Sequence, residues 1–237
     1  TAAARVLAYW CAMQLDDQAQ HPDPDRRAAA GDLAALLTPV VKAFLTELGH
    51  HGANQALGVL GGYGYIHEYG IEQQVRDSRV SLIYEGSNEI QSIDLVQRKL
   101  LGKGQGLALL LAEMSDCAAA CDAMQPAPLA EFALAVRQQK ALLQAGVAAL
   151  REAAVQDAES PLRVADDALA GTGHALLAWA WARMALAAAR SPEAALCERQ
   201  RDLAQHGIDH LLDTAALHWA RVQQWQRPLG WVKATAD

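Results

Sequence analysis

Residues 53–101 read ANQALGVLGGYGYIHEYGIEQQVRDSRVSLIYEGSNEIQSIDLVQRKLL, and three features set this stretch apart from generic helical sequence. The Gly-Gly-Tyr-Gly segment at 61–64 leaves bare backbone between two predicted helices, where a flat or phosphorylated ligand can approach closely. Glu85 lies on a tight loop beside Gly86, so a substrate can reach its carboxylate. The residues from Gly86 to Glu89 open a helix, and the unpaired N–H groups of a helix start suit a phosphate.

Each of these features also has an ordinary explanation. A glycine pair between helices is usually a turn, and a loop glutamate at a helix start is usually solvated and stabilised by the helix dipole. Their joint occurrence at this spacing is much more specific than any one of them, so the stretch is the place to look for chemistry.

Outside this stretch the apolar residues recur with the 3.6-residue period of helices, and no run alternates as a strand does. The fold class predicted is therefore all-α. Asn88 or Ser87 is expected to cap the helix that follows Glu85, with Gln91 completing a capping box. The predicted helices span about 3–17, 26–50 with a continuation through 53–60, 71–82, 89–101, 107–124, 129–154, 161–189 and 193–224.

Glycines at 102, 104 and 106 mark a predicted boundary between two helical domains, 1–102 and 103–237. The second domain reads as an antiparallel bundle stacked on the first. The chain opens at Thr1 inside an apolar helical pattern, and we expect it to be a fragment of a longer polypeptide.

The composition excludes several classes of protein. With 52% hydrophobic and 20% charged residues, the chain has the content of a folded domain rather than a disordered one. Its net charge of −7 gives no general reason to bind nucleic acid or an anionic membrane, and no uninterrupted apolar run of about 18 residues predicts a membrane span. The four cysteines form no CxxC pair and read as buried side chains in a reducing, cytoplasmic compartment; reactive or metal-bound cysteine is the alternative.

The motifs at 60–65 (Leu-Gly-Gly-Tyr-Gly-Tyr), 76–77 (Arg-Asp) and 83–87 (Ile-Tyr-Glu-Gly-Ser) resemble, in order and spacing, the C-terminal signatures of the acyl-CoA dehydrogenase family. Residues 84–99 are most similar to larger members that act on 3-(methylthio)propanoyl-CoA and related acyl-CoAs. Those members carry an additional helical segment at the C-terminus, which the Ala/Trp-rich run at 179–185 resembles.

The resemblance implies an FAD-dependent oxidoreductase that converts an acyl-CoA to the 2,3-enoyl-CoA. Glu85 matches the glutamate that removes the proton next to the thioester, while its backbone N–H donates to the thioester oxygen and Gly86 lies against the substrate. Electrons would then pass from FAD to an electron-transfer flavoprotein. The family pattern also implies a homodimer or a higher homo-oligomer.

The resemblance also implies which residues contact FAD, and this chain differs from the usual family pattern at two positions. Ser87 and Glu89 match positions at the helix start that contact the flavin nucleotide, but Glu89 places a carboxylate where a neutral residue is usual. Gly61 and Gly62 match a segment that touches the FAD of a neighbouring subunit. Three residues earlier, where many members have glutamine, this chain has a glycine at 58, and Gln55 lies one helical turn away. The β-domain and N-terminal helical domain that bind most of the FAD have no counterpart in the sequence.

Several other interpretations remain open at this stage. A helical interaction module that has lost dehydrogenation, as in relatives that bind nucleic acid, is the rival to the enzyme; the acidic balance and the intact Tyr-Glu-Gly oppose it. His206 and His210 have metal-ligand spacing but no fixed third ligand, so we interpret them as a polar helix face and predict no metal. We expect Arg76 and Asp77 to form a local ion pair. The tryptophans of the last third are expected to anchor a core or an interface: 179, 181, 219, 225 and 231.

Overall fold

A computed structural model describes residues 1–125 and 129–226 of the chain. Within those ranges all regular secondary structure is helical, which confirms the predicted all-α class. The α-helices are α1 (Ala2–Gln20), α2 (Pro24–Val59), α3 (Gly62–Tyr65), α4 (Ile71–Val80), α5 (Asn88–Asp94), α6 (Gly106–Asp122), α7 (Ala130–Gln156), α8 (Ala165–Arg190), α9 (Ala194–His210) and α10 (Asp213–Gln223). Short 3₁₀ turns occupy His67–Tyr69 and Ser160–Val164, and a π-helical turn, Leu95–Leu100, continues α5.

Most predicted helices are found, with two corrections. The segments predicted at 26–50 and 53–60 form the single helix α2, with Pro39 buried inside it. The helix predicted over 193–224 is wrong, because α9 ends at His210 and α10 begins at Asp213. Leu212, at the break, is buried, and α10 packs against α7 and α8.

The apolar core runs through both halves of the chain. Its centre is α8, which is buried on nearly all sides, as expected for a helix that is apolar all round. α1 and α2 pack on each other and on α8, while α6, α7, α9 and α10 also pack on α8. Gly106, at the start of α6, lies so close to α2 that a Cβ there would stand 2.6 Å from the backbone oxygen of Asp32. The predicted domain boundary after residue 102 stays a prediction.

The described tryptophans of the last third are core residues. Trp179, Trp181, Trp219 and Trp225 are all buried, whereas Trp231 lies outside the described residues. The indole of Trp219 is fully buried between two glycines, one on α7 and one on α8. A Cβ at Gly146 would lie 2.1 Å from Trp219 Cε3, and one at Gly171 would lie 2.5 Å from its Cε2. These glycines are therefore needed for the close approach of the ring.

Three of the cysteines are buried and Cys197 is half-buried. On α6, a hydrogen bond with Cys121 together with burial raises the pKa of the Cys117 thiol, so that this thiol stays protonated.

His206 and His210 have ring centroids 4.7 Å apart, and no group of three potential metal ligands occurs in residues 1–125 and 129–226. In that part of the chain, α2 alone passes the length and hydropathy test for a membrane span, and half of its apolar window is buried inside the protein.

A polar cluster between α8 and α10 makes stability depend on pH. Thr214 Oγ1 lies 3.1 Å from His174 Nε2, and the His174 ring stacks on His218, whose Nδ1 is 2.7 Å from Asp167 Oδ1. Burial, reinforced by the neighbouring His218, lowers the pKa of His174 to about 4 from an ordinary value near 6.5. The unfolded chain therefore binds more protons than the folded chain between these values.

We expect the free energy of unfolding to fall by about 2 kcal/mol between pH 8 and pH 5 because of His174. Urea unfolding at the two pH values measures this change, and His174→Gln should remove it. The exposed His51, changed to glutamine, serves as the control and should leave the pH dependence intact. An identical pH dependence in His174→Gln and the parent protein would contradict the assignment.

Candidate active site around Glu85

Glu85 lies on a closed loop between α4 and α5. The N–H of Tyr84 donates to the oxygen of Val80 at 3.2 Å, and the N–H of Asn88 donates to the oxygen of Leu82 at 3.1 Å. The second bond ties the two ends of the loop together. Leu82 and Asn88 are buried, while Glu85 and Gly86 between them are exposed. The Glu85 carboxylate is therefore exposed on a short loop whose two end residues are buried.

The backbone of this loop is left-handed at two consecutive residues. Glu85 has φ 53° and Gly86 has φ 83°, and Glu85 is the one non-glycine residue with positive φ in the described ranges. A left-handed conformation costs a residue with a Cβ about 1–2 kcal/mol. Such strained residues are often found at functional sites. The φ of Gly86 favours glycine, and a Cβ there would stand 2.8 Å from Nε2 at the end of the Gln91 side chain, which would have to move.

The start of α5 differs from the prediction. Ser87 is the N-cap residue but makes no side-chain cap hydrogen bond, and the predicted capping box is absent. The side-chain amide of Asn88 instead forms hydrogen bonds with several residues of α2. Gln91 Nε2 donates to the backbone oxygen of Glu85 at 3.4 Å. The Asn88 side chain therefore fastens α5 to α2, and the Gln91 side chain supports the Glu85 loop.

Glu89 is exposed in the first turn of α5. A hydrogen bond from the Ser87 side chain, followed in importance by one from its own backbone N–H, holds the pKa of Glu89 below its usual value. The positive charges of Arg79 and Lys42 act in the same direction. The first turn of α5 thus carries an ionised carboxylate, which repels a phosphate placed on the same N–H groups.

The glycine segment at 61–64, predicted to lie between two helices, forms the start of the short helix α3, with Gly61 as its N-cap residue. Gly61 has φ 58°, so its conformation requires glycine, and a Cβ at Gly64 would stand 2.4 Å from the oxygen of Leu57. Gly62 is different, because a Cβ there would meet nothing within 4 Å. Packing among the described residues does not explain the absence of a side chain at Gly62. Bare, exposed backbone at 61–62 is what close contact with an external group requires.

Many of the side chains close in sequence to these segments are apolar and exposed. A single exposed apolar residue is ordinary, whereas a contiguous exposed apolar patch marks a binding surface. The exposed apolar residues are Val59, Leu60, Tyr63, Tyr65, Ile66, Tyr69, Val80, Ile83, Tyr84 and Ile90. Their chemistry suits a flat or apolar ligand, or the face of another domain.

One smaller expectation about this region is settled by the contacts. The predicted ion pair between Arg76 and Asp77 is wrong: Arg76 Nε donates to Glu72 Oε2 at 3.0 Å, and Asp77 Oδ1 accepts from Gln73 Nε2 at 2.7 Å. Both are contacts between residues four apart on α4, which face each other, whereas adjacent helical residues do not. Gln55 lies near His51, 3.4 Å from its Nε2, on the exposed side of α2.

A separate groove of about 750 Å³ lies between α7 and the α9–α10 corner. Its floor includes Leu142, Ile208 and Leu212, and none of the predicted site residues lines it. Glu85, Gly61 and Gly62 are instead exposed, in the part of the sequence that carries the exposed apolar residues.

Comparison with known proteins identifies the family. A family model described as acyl-CoA dehydrogenase, C-terminal domain, matches residues 1–101, and one described as acetyl-CoA dehydrogenase C-terminal like matches residues 110–229. The chain is 34% identical over 188 residues to 3-methylmercaptopropionyl-CoA dehydrogenase of Ruegeria pomeroyi, which is 79% of this chain and 32% of that protein. It is 32% identical over 133 residues to a butyryl-CoA dehydrogenase of Syntrophomonas wolfei, covering 56% of this chain and 22% of the relative.

The solved structure of Caenorhabditis elegans ACDH-11 in complex with C11-CoA shares the fold. It matches with a TM-score of 0.62 at 16% identity, over 87% of this chain and 33% of that one. The chain thus spans about a third or less of the length of these relatives. Two adjoining family models and a 34% identical relative together show that the chain belongs to the acyl-CoA dehydrogenase family.

Proposed function

We propose that this chain supplies the catalytic base of an FAD-dependent acyl-CoA dehydrogenase, with Glu85 removing the proton next to the thioester carbonyl. The observation that carries the proposal is the exposed Glu85 carboxylate on a closed, left-handed loop within the family's Tyr-Glu-Gly segment. Membership of the family supports an oxidoreductase acting on the CH–CH group of an acyl-CoA.

A carboxylate in water is too weak a base for a carbon acid, so the substrate must exclude water from the loop as it binds. Ile83, Tyr84 and Ile90 offer exposed apolar surface close to Glu85 in sequence. Gly86 has no side chain to hinder an acyl thioester beside it. These features support a substrate that covers the carboxylate with its own apolar part.

The thioester must also be made more acidic by hydrogen bonds to its oxygen. Among the described residues the Glu85 N–H donates no hydrogen bond, so this group is available for the role. A donor and a base from the same residue would act on the carbonyl oxygen and on the proton of the α-carbon, two groups attached through the same carbonyl carbon.

FAD fits the site in part. The bare backbone at Gly61 and Gly62 and the exposed tyrosines suit a flat ring system, and Ser87 offers a hydroxyl at the start of α5. The ionised Glu89 is compatible with a hydroxyl-bearing part of the nucleotide rather than its phosphates. When bound, FAD would accept the hydride that leaves the carbon next to the deprotonated one. The residues proposed to hold it are Gly61, Gly62, Ser87 and Glu89.

We further propose acyl-CoA substrates of the kind named in the relatives, an electron-transfer flavoprotein as electron acceptor, a homo-oligomeric assembly and a cytoplasmic location. The identity to 3-methylmercaptopropionyl-CoA dehydrogenase favours that thioester as the first substrate to test, followed by butyryl-CoA.

The proposal is tested with the flavin-loaded protein that contains this chain. Mixed anaerobically with 3-methylmercaptopropionyl-CoA or butyryl-CoA, it should lose flavin absorbance while the acyl-CoA loses two hydrogens, as measured by mass spectrometry. A protein that keeps its flavin colour with both thioesters, or that shows salt-sensitive DNA binding in a mobility-shift assay without dehydrogenation, would instead support the rival interaction module.

A further inference from the structure

We propose that Asn88 is a positioning residue that holds the Glu85 loop in its left-handed conformation. The proposal rests on the proposed function of Glu85 as base and adds a second residue to that site. Asn88 touches neither the reacting atoms nor the carboxylate; it acts through the backbone that joins it to Glu85.

The side chain of Asn88 is the best-connected amide near the loop. It is 7% exposed, and its Oδ1 accepts from Lys42 Nζ at 2.8 Å. Its Nδ2 lies 3.0 Å from Glu47 Oε1, 3.2 Å from Thr46 Oγ1 and 3.3 Å from the backbone oxygen of Ala43. All of these partners belong to α2, so one amide fixes the first residue of α5 to residues 42–47 of that helix.

The loop has few other attachments. Between the buried ends at Leu82 and Asn88, residues 83–86 are exposed and Ser87 is half-buried. The 3.4 Å contact from Gln91 to the oxygen of Glu85 reaches the loop from α5 itself. The unfavourable φ of Glu85 must therefore be maintained from the loop ends, and of the two end residues Asn88 is the one whose side chain hydrogen-bonds to another helix.

The amide also separates two opposite charges. Lys42 is half-buried on one side of Asn88 and Glu47 is on the other, and a neutral group that accepts from the first and donates to the second satisfies both. An aspartate at this position keeps the bond from Lys42 but loses both N–H donors and repels Glu47. An isosteric leucine loses every bond and leaves the Lys42 ammonium without this partner.

The experiment compares Asn88→Leu and Asn88→Asp with Gln139→Leu in the flavin-loaded protein. Gln139 is a matched control because it is a buried amide on α7, a helix that packs against α6, α8 and α10, and its Oε1 accepts no hydrogen bond among the described residues. The readouts are amide hydrogen exchange of peptides covering residues 82–91, the rate of flavin reduction by acyl-CoA, and the acyl-CoA dissociation constant.

Both Asn88 variants should exchange faster over residues 83–89 and reduce flavin about 10- to 100-fold more slowly, with acyl-CoA affinity changed less than threefold. Gln139→Leu should match the parent protein in all three measurements. If Asn88→Leu does not fold, Asn88→Asp carries the test.

Two outcomes overturn the inference: faster exchange without a slower reduction, or a slower reduction without faster exchange. The proposed function fails separately, through a Glu85→Gln variant that still reduces flavin at the parent rate. Hydrogen exchange in the Asn88 variants reports on loop position even in that case, so the two failures can be told apart.

Discussion

Glu85→Gln is expected to slow flavin reduction by acyl-CoA about a thousandfold, because general-base catalysis contributes roughly 10²–10⁴ to a rate and glutamine cannot accept the proton. Glutamine has nearly the shape of glutamate, and Glu85 is exposed, so the variant should fold and keep its flavin. Stopped-flow absorbance after anaerobic mixing measures the rate, and the spectrum before mixing confirms flavin content.

Glu68→Gln is the matched control for this prediction. Glu68 is an exposed glutamate in the 3₁₀ turn His67–Tyr69 and belongs to the same sequence region without lying on the loop. Its variant should reduce flavin at the parent rate. Glu85→Asp should lie between the two, since it keeps a carboxylate but shortens its reach. A Glu85→Gln variant as fast as Glu68→Gln would remove Glu85 from the mechanism.

Gly146→Ala should destabilise the protein by about 3 kcal/mol, because the new methyl group would overlap the Trp219 ring and overpacking a core costs about 1–3 kcal/mol or more. Trp219 is fully buried and is also enclosed by Gly171 on its other side, so the indole has little room to move away. Urea unfolding followed by circular dichroism gives the change in the free energy of unfolding.

Gly52→Ala provides the opposite result as a control. Gly52 lies within α2 and a Cβ there would meet nothing within 4 Å, so alanine should stabilise by up to about 1 kcal/mol through helix propensity. In a Trp219→Leu background, which removes the ring, Gly146→Ala should destabilise less than it does beside Trp219, as a double-mutant cycle measures. Equal stability of Gly146→Ala and Gly52→Ala would contradict the packing described for Trp219.

The fold class and most helices could be predicted because each helix has its own apolar period and its own breakers. The break between α9 and α10 could not be predicted in the same way. Residues 211–212 carry two leucines that suit a helix, and the reason for the break is distant in sequence. Trp219 fills a space left by Gly146 and Gly171, which only the tertiary structure brings together.

Some features of the predicted site could likewise be predicted from the sequence, and others could not. The loop at Glu85 and the bare backbone at 61–62 follow from local glycines, so the sequence was sufficient to find them. The positive φ of Glu85 could not be predicted, since residues with a Cβ rarely adopt it. The role of Asn88 was missed because its position favours a helix cap; the available signal was Lys42 and Thr46, four apart on one face of α2.

Hydrogen exchange at the α-carbon of the substrate tests the assignment of Glu85 most directly. Protein whose flavin has already been reduced is incubated with acyl-CoA in D₂O, so that no hydride can leave and only proton removal is observed by mass spectrometry. We predict that the parent protein incorporates deuterium next to the thioester carbonyl, and that Glu85→Gln shows only the rate of acyl-CoA alone. Equal incorporation by the parent protein and Glu85→Gln would show that another group removes the proton.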